Sequence, residues 1–377
     1  MKIAIIRKKY TFHGGSESFS QNYIRKLAEG GHEIHIFAIK WDAPGPLKNI
    51  NFHKVPAITF NSFLRDLIFA LSTYRILKHE DFNIIQSHDK TFCQDIYRAG
   101  DGCHIEWLRA RWRRIGILGK LSIILNPYHW LILTMERIIF KSHRFKKIIA
   151  ISELVKRDIV ENYNVDERDV EVIYNGVDLE RFNPENKRLY SEEIRERFSI
   201  GKDEFVVLFV GSGFERKGVK YLLKAVDLIS EPITVLVVGK GSEKKMKKFI
   251  KKQRAIFCGP QREIHKYYAA SDIFVFPAIY EPFGNVHLEA LASGLPIITT
   301  RLSGASEIIQ DGMQGFVIDK PEDIKRIAEK IRFLINSGKN QSIGLEARRL
   351  AENFSFKTHT EKMIKLYQGI VQSKKKA

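Results

Sequence analysis

A chain of 377 residues, 44% of them hydrophobic, is long enough for two domains with a core each. Lys and Arg outnumber Asp and Glu by 62 to 44, and the three cysteines Cys93, Cys103 and Cys258 have spacings that suit neither a disulfide framework nor a zinc site, so a reducing compartment is expected. No apolar stretch reaches the roughly 20 residues of a spanning helix, because the best candidate, 115–135, is broken by Lys120, Pro127 and His129.

The N-terminal run reads as a first parallel strand over 3–6, with too few apolar residues before its cations for a signal peptide. Gly14-Gly15 follows, where glycine lets backbone come close to a ligand, although such a pair is usually a turn. Alternating apolar runs and amphipathic segments then predict strands at 33–39, 83–86, 147–151 and 171–174, with helices at 16–29, 63–78, 134–142 and 153–162. His88 and Asp101 come after predicted strands and are candidates for acceptor binding or proton handling, with a structural role for His88 the plainer reading.

Between residues 105 and 147 stand ten Lys or Arg against two Glu, interleaved with Trp107, Trp112, Tyr128, Trp130 and Phe140. Cations beside Trp and long aliphatics suit the headgroup region of an anionic bilayer, on which this segment would lie. A connecting helix with a solvated basic face is the plainer alternative. Nucleic-acid binding is not expected, since no recognisable module accompanies the basic patch.

The polar run 178–200 reads as a domain linker. Beyond it, strands are expected at 205–210, 234–238, 255–258, 273–276, 296–299 and 316–318, giving a second doubly wound half. A last helix over 356–372 precedes a lysine tail, 374–376, expected to fray.

Two features of the second half carry chemistry. The first strand runs into Gly211-Ser212-Gly213-Phe214-Glu215-Arg216-Lys217-Gly218, where Arg offers a planar fork and Lys a mobile charge to phosphate oxygens. After the strand at 273–276 comes Glu281-Pro282-Phe283-Gly284-Asn285-Val286-His287-Leu288-Glu289. A helix starting near Gly284 would put Glu281 at its N-terminal mouth and Glu289 about a turn and a half further on. Free N–H groups there suit an anion, and the carboxylates suit hydroxyls. Two glutamates on a surface helix are the bland alternative.

In spacing and context these stretches resemble the E-x7-E motif and the phosphate-holding glycine loop of the retaining glycosyltransferases of family 4. The likeness runs from Gly14-Gly15 through Asn175-Gly176-Val177-Asp178 and Arg216-Lys217 to Glu289. Within the family, Tyr97-Arg98-Ala99-Gly100-Asp101-Gly102-Cys103 is similar to the branch that glucosylates the lipopolysaccharide core. Ser212 departs from the pattern, standing where many relatives have Arg and leaving Arg216, with Arg181, to supply positive charge.

The resemblance implies a GT-B fold, with two Rossmann-like α/β domains, doubly wound and facing across a cleft. The N-terminal, acceptor-binding domain would be 1–178, completed by a helix in 356–377, and the nucleotide-sugar domain 179–355. It implies that Arg216 and Lys217 stabilise the leaving diphosphate and that Glu281 and the backbone of Phe283, Gly284, Asn285 and Val286 hold the transferred sugar. Glu289 would accept hydrogen bonds from the ribose, and Gly14, Gly15, Gly211 and Arg181 would adjoin the donor. Asp101 matches a family aspartate on the acceptor side. No metal and no resident cofactor are expected, the nucleotide-sugar being a co-substrate. The implied activity is transfer of a hexose, glucose from UDP-glucose above others, to a lipopolysaccharide-core or other lipid-linked saccharide by a cytoplasmic enzyme peripheral at the inner face of the membrane. Transfer of mannose or another hexose, an epimerase or phosphorylase on the same fold, and a non-transferring membrane-binding protein are the alternatives.

Overall fold

The computed structural model describes residues 1–10, 15–41, 48–141 and 145–376. The chain divides into two units, Met1–Asn175 with Phe356–Ala377, and Gly176–Ser355.

The first unit is built on a seven-stranded parallel sheet in the order Ile50–Lys54, Glu33–Ala38, Lys2–Ile6, Ile84–Ser87, Ile96–Ala99, Lys147–Ala150, Val170–Val172. Helices cover both faces, so successive residues of one strand enter different cores. Ile3 and Ile5 pack with Tyr23, Ile24, Met363 and Tyr367, while Ala4 and Ile6 pack with Phe37, Phe69 and Leu77. Helix Ser62–Leu77 starts where Asn61 Oδ1 accepts from the N–H groups of Phe63 and Leu64, and Glu153–Tyr163 where Ser152 Oγ accepts from Val155 N–H.

The second unit carries a six-stranded parallel sheet in the order Arg254–Gly259, Ile233–Val238, Phe205–Val210, Ile273–Phe276, Ile297–Thr300, Gly315–Ile318. Its central strands are runs of Val, Ile, Leu and Phe interrupted only by the buried Thr234, as burial on both faces requires. Both units are α/β, Rossmann-like and doubly wound. The order of connection reverses between Lys2–Ile6 and Ile84–Ser87 in the first and between Phe205–Val210 and Ile273–Phe276 in the second. Ligands of open α/β sheets bind at the carboxyl ends of the strands beside such a reversal.

Several expectations are corrected. The run read as a linker holds helix Asn186–Arg197, which belongs to the second unit and buries Asn186 and Ile194. Strand Ile96–Ala99 went unread because a charged residue, Arg98, interrupts it. It is nonetheless fully buried, with its guanidinium donating to Asn175 Oδ1 and lying 4.7 Å from the Phe19 ring centre. Strand Ile50–Lys54 went unread because it is an edge strand with polar, exposed positions. The helix expected at 134–142 runs Pro127–Lys141, starting at a proline whose missing N–H is no loss in a first turn. The tail does not fray at Lys374: helix Phe356–Lys376 continues through it, and Lys374 Nζ lies 2.8 Å from Asp95.

Candidate active site

The reversal in the second unit brings two loops together, one after Phe205–Val210 and one after Ile273–Phe276. They are joined backbone to backbone, Ile279 N–H donating to Arg216 O at 3.0 Å. Gly218 is what allows this approach. It has φ +79°, and a Cβ there would lie 1.7 Å from the Pro277 carbonyl oxygen, so a side chain meets both a strained backbone and an occupied space. At Gly211 a Cβ would fall 2.6 Å from Lys217 Cδ, so the bare backbone lets the lysine stem lie along the loop.

Three of the expected residues meet here. Arg216 Nη1 lies 3.0 Å and Lys217 Nζ 3.3 Å from the same oxygen, Glu281 Oε2, and Arg216 also donates to Tyr280 O. Lys217 Nζ stands 5.1 Å above the Phe276 ring. Burial would raise the Glu281 carboxyl, but the charges of Lys217 and Arg216 outweigh it and hold the group below its ordinary value. Two cations and one carboxylate leave this corner one unit positive. Fixed, partly dehydrated cations of this kind can stabilise charge that develops on a leaving diphosphate.

The segment from Glu281 to Phe283 is held from the far side. Glu281 N–H donates to Leu302 O, Gly304 N–H donates to Glu281 O, and Ser303 Oγ donates to Phe283 O. Gly284 then caps helix Asn285–Ala292, whose first N–H groups, at Asn285 and Val286, have no acceptor within the helix. Glu289, one turn in, is buried and accepts from Tyr268 Oη at 2.9 Å. Burial pushes its carboxyl up to about 7, against the Tyr268 hydrogen bond and the charges of Arg181 and Lys217. Arg181 is anchored by donating to Arg262 O at 2.6 Å, so the field on Glu289 comes from a fixed position. Ser212, the departure from the expected pattern, accepts from Lys240 N–H at 3.1 Å and so ties the glycine loop to the next one.

Tyr268 and His287 were not anticipated. His287 is fully buried, donates from Nδ1 to Gly284 O at 2.9 Å and accepts from Thr299 Oγ1 at 2.8 Å, bracing the helix mouth from beneath. Burial brings its imidazole down to about 4, so it serves as a neutral strut. Its place between two glutamates was the one available signal, whereas Tyr268 arrives from another helix and had none.

The remaining candidates lie in the first unit. Gly14 is outside the described residues, and Gly15 opens helix Gly15–Glu29. Asp101 is exposed in the turn after Ile96–Ala99. His88 is buried, with Nε2 accepting from Gln86 Nε2 at 2.6 Å, and Gln86 in turn accepts from Tyr367 Oη. Burial, then the charges of Arg98 and Arg7, keeps His88 well below its ordinary value, which suits a structural part. Among the described residues no cluster of three His, Cys, Asp or Glu side chains gathers as metal ligands would.

Residues 13–181 match the model described as Glycosyltransferase Family 4, and residues 191–353 that described as Glycosyl transferases group 1. An uncharacterized glycosyltransferase of Methanocaldococcus jannaschii is 26% identical over 98% of both chains. The lipopolysaccharide glucosyltransferase WaaG of Escherichia coli is 24% identical over 88% of this chain and 89% of its own. The crystal structure of WaaG superposes with a TM-score of 0.82 at 22% identity, covering 97% of this chain and all of that one. Anabaena HepE, solved in complex with UDP-glucose, superposes with a TM-score of 0.74 at 15% identity, covering 98% of this chain and all of that one.

Proposed function

The chain belongs to the family 4 glycosyltransferases, and we propose that it moves glucose from UDP-glucose, with retention and without a metal ion, to a lipopolysaccharide-core or other lipid-linked saccharide at an anionic membrane surface. The observation that carries this reading is the corner where Arg216, Lys217 and Glu281 meet at the strand reversal, beside a helix mouth that also holds Glu289.

In this reading the diphosphate shares the two cations with Glu281, and Glu281 with the backbone of Phe283 to Val286 orients the glucose. Ionised Glu289 accepts hydrogen bonds from the ribose hydroxyls. Gly211 gives the phosphates room, Arg181 adds positive field, Gly14 and Gly15 adjoin the donor, and Asp101 serves the acceptor. Retention by front-face attack, assisted by the leaving phosphate, requires no protein nucleophile, and none is assigned.

The membrane part rests on helix Ile117–Leu125. Ile117 and Leu118 are 84% and 85% exposed, and Leu125 and Trp130 are 69% and 61% exposed. Lys120, on the same helix, lies over the Trp112 ring at 5.2 Å, and Arg113 precedes the helix in the chain. Lipid would cover such a face, and each basic residue near an anionic surface adds about 1 kcal/mol. No described helix is long and apolar enough to cross a membrane.

Calorimetric titration of wild type and Glu289→Ala with UDP, GDP, ADP and their glucose conjugates, with and without magnesium, tests the donor reading. Metal-independent binding of UDP and UDP-glucose, weakened in the variant, is the expected result. Preference for another nucleotide would move the donor to that class, and no binding at all would leave only a scaffold.

A further inference from the structure

The first unit has its own strand reversal, between Lys2–Ile6 and Ile84–Ser87, and a second charged cluster sits over it. Lys8 Nζ lies 2.8 Å from Asp66 Oδ2 and 3.1 Å from Asp89 Oδ1, and Lys8 N–H donates to Asp89 Oδ2 at 2.7 Å. Arg65 Nε donates to Asp66 Oδ1 at 2.8 Å and Tyr128 Oη to Asp66 Oδ2 at 3.1 Å. Beside this, Lys90 pairs with Glu136 at 3.4 Å, and Glu136 accepts from His104 N–H and from Tyr163 Oη.

The two clusters differ in charge. Arg216 and Lys217 against Glu281 sum to plus one, whereas Lys8, Arg65 and Lys90 against Asp66, Asp89 and Glu136 sum to zero. A positive corner attracts a diphosphate. A neutral one with fixed carboxylates repels phosphate oxygens as much as it attracts them, yet offers paired acceptors and donors to neutral hydroxyls. Asp66 is sealed at 2% side-chain exposure, while Asp89 and Lys8 keep 14% and 23%. The accessible part is therefore a carboxylate next to an ammonium, a spacing that can take one hydroxyl as donor and its neighbour as acceptor. The cluster joins the end of Lys2–Ile6, the loop after Ile84–Ser87, and the helices Ser62–Leu77 and Pro127–Lys141, so its geometry is set by the fold and not by one mobile loop.

We infer that Lys8 and Asp89, braced by Asp66, Arg65 and Tyr128, seat the acceptor, and that the ring seated there carries free vicinal hydroxyls and no phosphate. This rests on the glycosyltransferase reading and adds the acceptor's chemical class to it. Lys8 and Asp89 touch the saccharide; Asp66, Arg65 and Tyr128 are positioning residues.

Saturation-transfer NMR on the whole protein, with methyl α-D-glucopyranoside, methyl α-D-mannopyranoside and glucose 6-phosphate as probes, tests it. A neutral glycoside should receive saturation in wild type and in Glu281→Ala, and lose about tenfold in affinity in Asp89→Asn and Lys8→Met, as loss of a hydrogen bond to a charged group predicts. The sugar phosphate should bind no tighter than the neutral glycosides. Calorimetric binding of UDP should be the same in wild type and Asp89→Asn; failure of wild type to bind any nucleotide would count against the donor reading alone. Saturation absent in wild type, glycoside affinity unchanged in Asp89→Asn, saturation lost in Glu281→Ala, or tighter binding of the phosphate would overturn the proposal. If Asp89→Asn melts early, Lys8→Met and the milder Tyr128→Phe decide: unchanged glycoside affinity in both would leave the cluster a purely structural tie.

Discussion

Lys217 Nζ stands 3.3 Å from Glu281 Oε2, sharing that oxygen with Arg216. A buried carboxylate held by two cations is a stiff element, because removing either cation leaves charge poorly compensated in a dehydrated place.

Lys217→Ala should therefore slow donor turnover by a factor of about one hundred to one thousand, the usual effect of losing one preorganised electrostatic group, or about 2.7 to 4 kcal/mol. Release of UDP from UDP-glucose, followed with and without acceptor, measures it. Activity unchanged in both Lys217→Ala and Glu281→Ala would remove the corner from the mechanism.

On the role proposed for Glu289, donor binding should depend on pH. Its carboxyl lies at about 7 in the folded chain against an ordinary 4.5, so the ionised form, which in the proposed reading would accept from ribose, prevails only above that value. UDP affinity should climb from about pH 5 to a plateau above about pH 7 and be nearly flat in Glu289→Gln. The same shift sets a sign for stability. A carboxyl with a raised folded value binds more protons folded than unfolded between 4.5 and about 7, so its contribution falls as pH rises through that window. Glu289→Gln should remove that fall in a denaturation series; a slope that persists would assign it to other groups.

Gly218→Ala should destabilise the second unit by about 3 kcal/mol or more, because the new carbon meets Pro277 O while the backbone stays left-handed. Thermal or denaturant melting reads this directly. A loss under about 1 kcal/mol would mean that the loops separate easily.

Leu118→Ser with Leu125→Ser should weaken binding to anionic vesicles about tenfold or more, through lost apolar insertion, and leave the melting temperature unchanged, since both side chains are exposed. Sedimentation with phosphatidylglycerol vesicles at several salt concentrations checks it. Equal binding by wild type and variant would confine any membrane contact to charge alone.

Where burial is complete on both faces, the chain announces its strands, as in Phe205–Val210 and Ile273–Phe276, which read as unbroken hydrophobic runs. That Arg216, Lys217 and Glu281 each follow such a strand was legible, and the family resemblance gave them neighbouring roles; that the two strands lie side by side, which brings the three together, is settled by the sheet order and not by the chain. Ile96–Ala99 was hidden by Arg98, whose charge is accommodated by Asn175 and the Phe19 ring, both far away in sequence. Helix Asn186–Arg197 was hidden because it buries little of its length. The partner of Glu289 was hidden for a topological reason: Tyr268 precedes it by a helix end, a strand and a loop, and no local period connects the two.

Helix Phe356–Lys376 supplies Met363, Tyr367 and Ile370 to the core that Ile3, Ile5 and Tyr23 begin, and the intervening unit spans Gly176–Ser355. During synthesis at roughly 5 to 20 residues per second, those 180 residues (355 − 176 + 1) impose a wait of roughly 9 to 36 s between Asn175, where the first stretch of the first unit ends, and the helix that seals it. The second unit is contiguous and can close as it emerges, while in the first the core around Tyr23 waits without Met363, Tyr367 and Ile370. Of the two units, the one begun first is completed last.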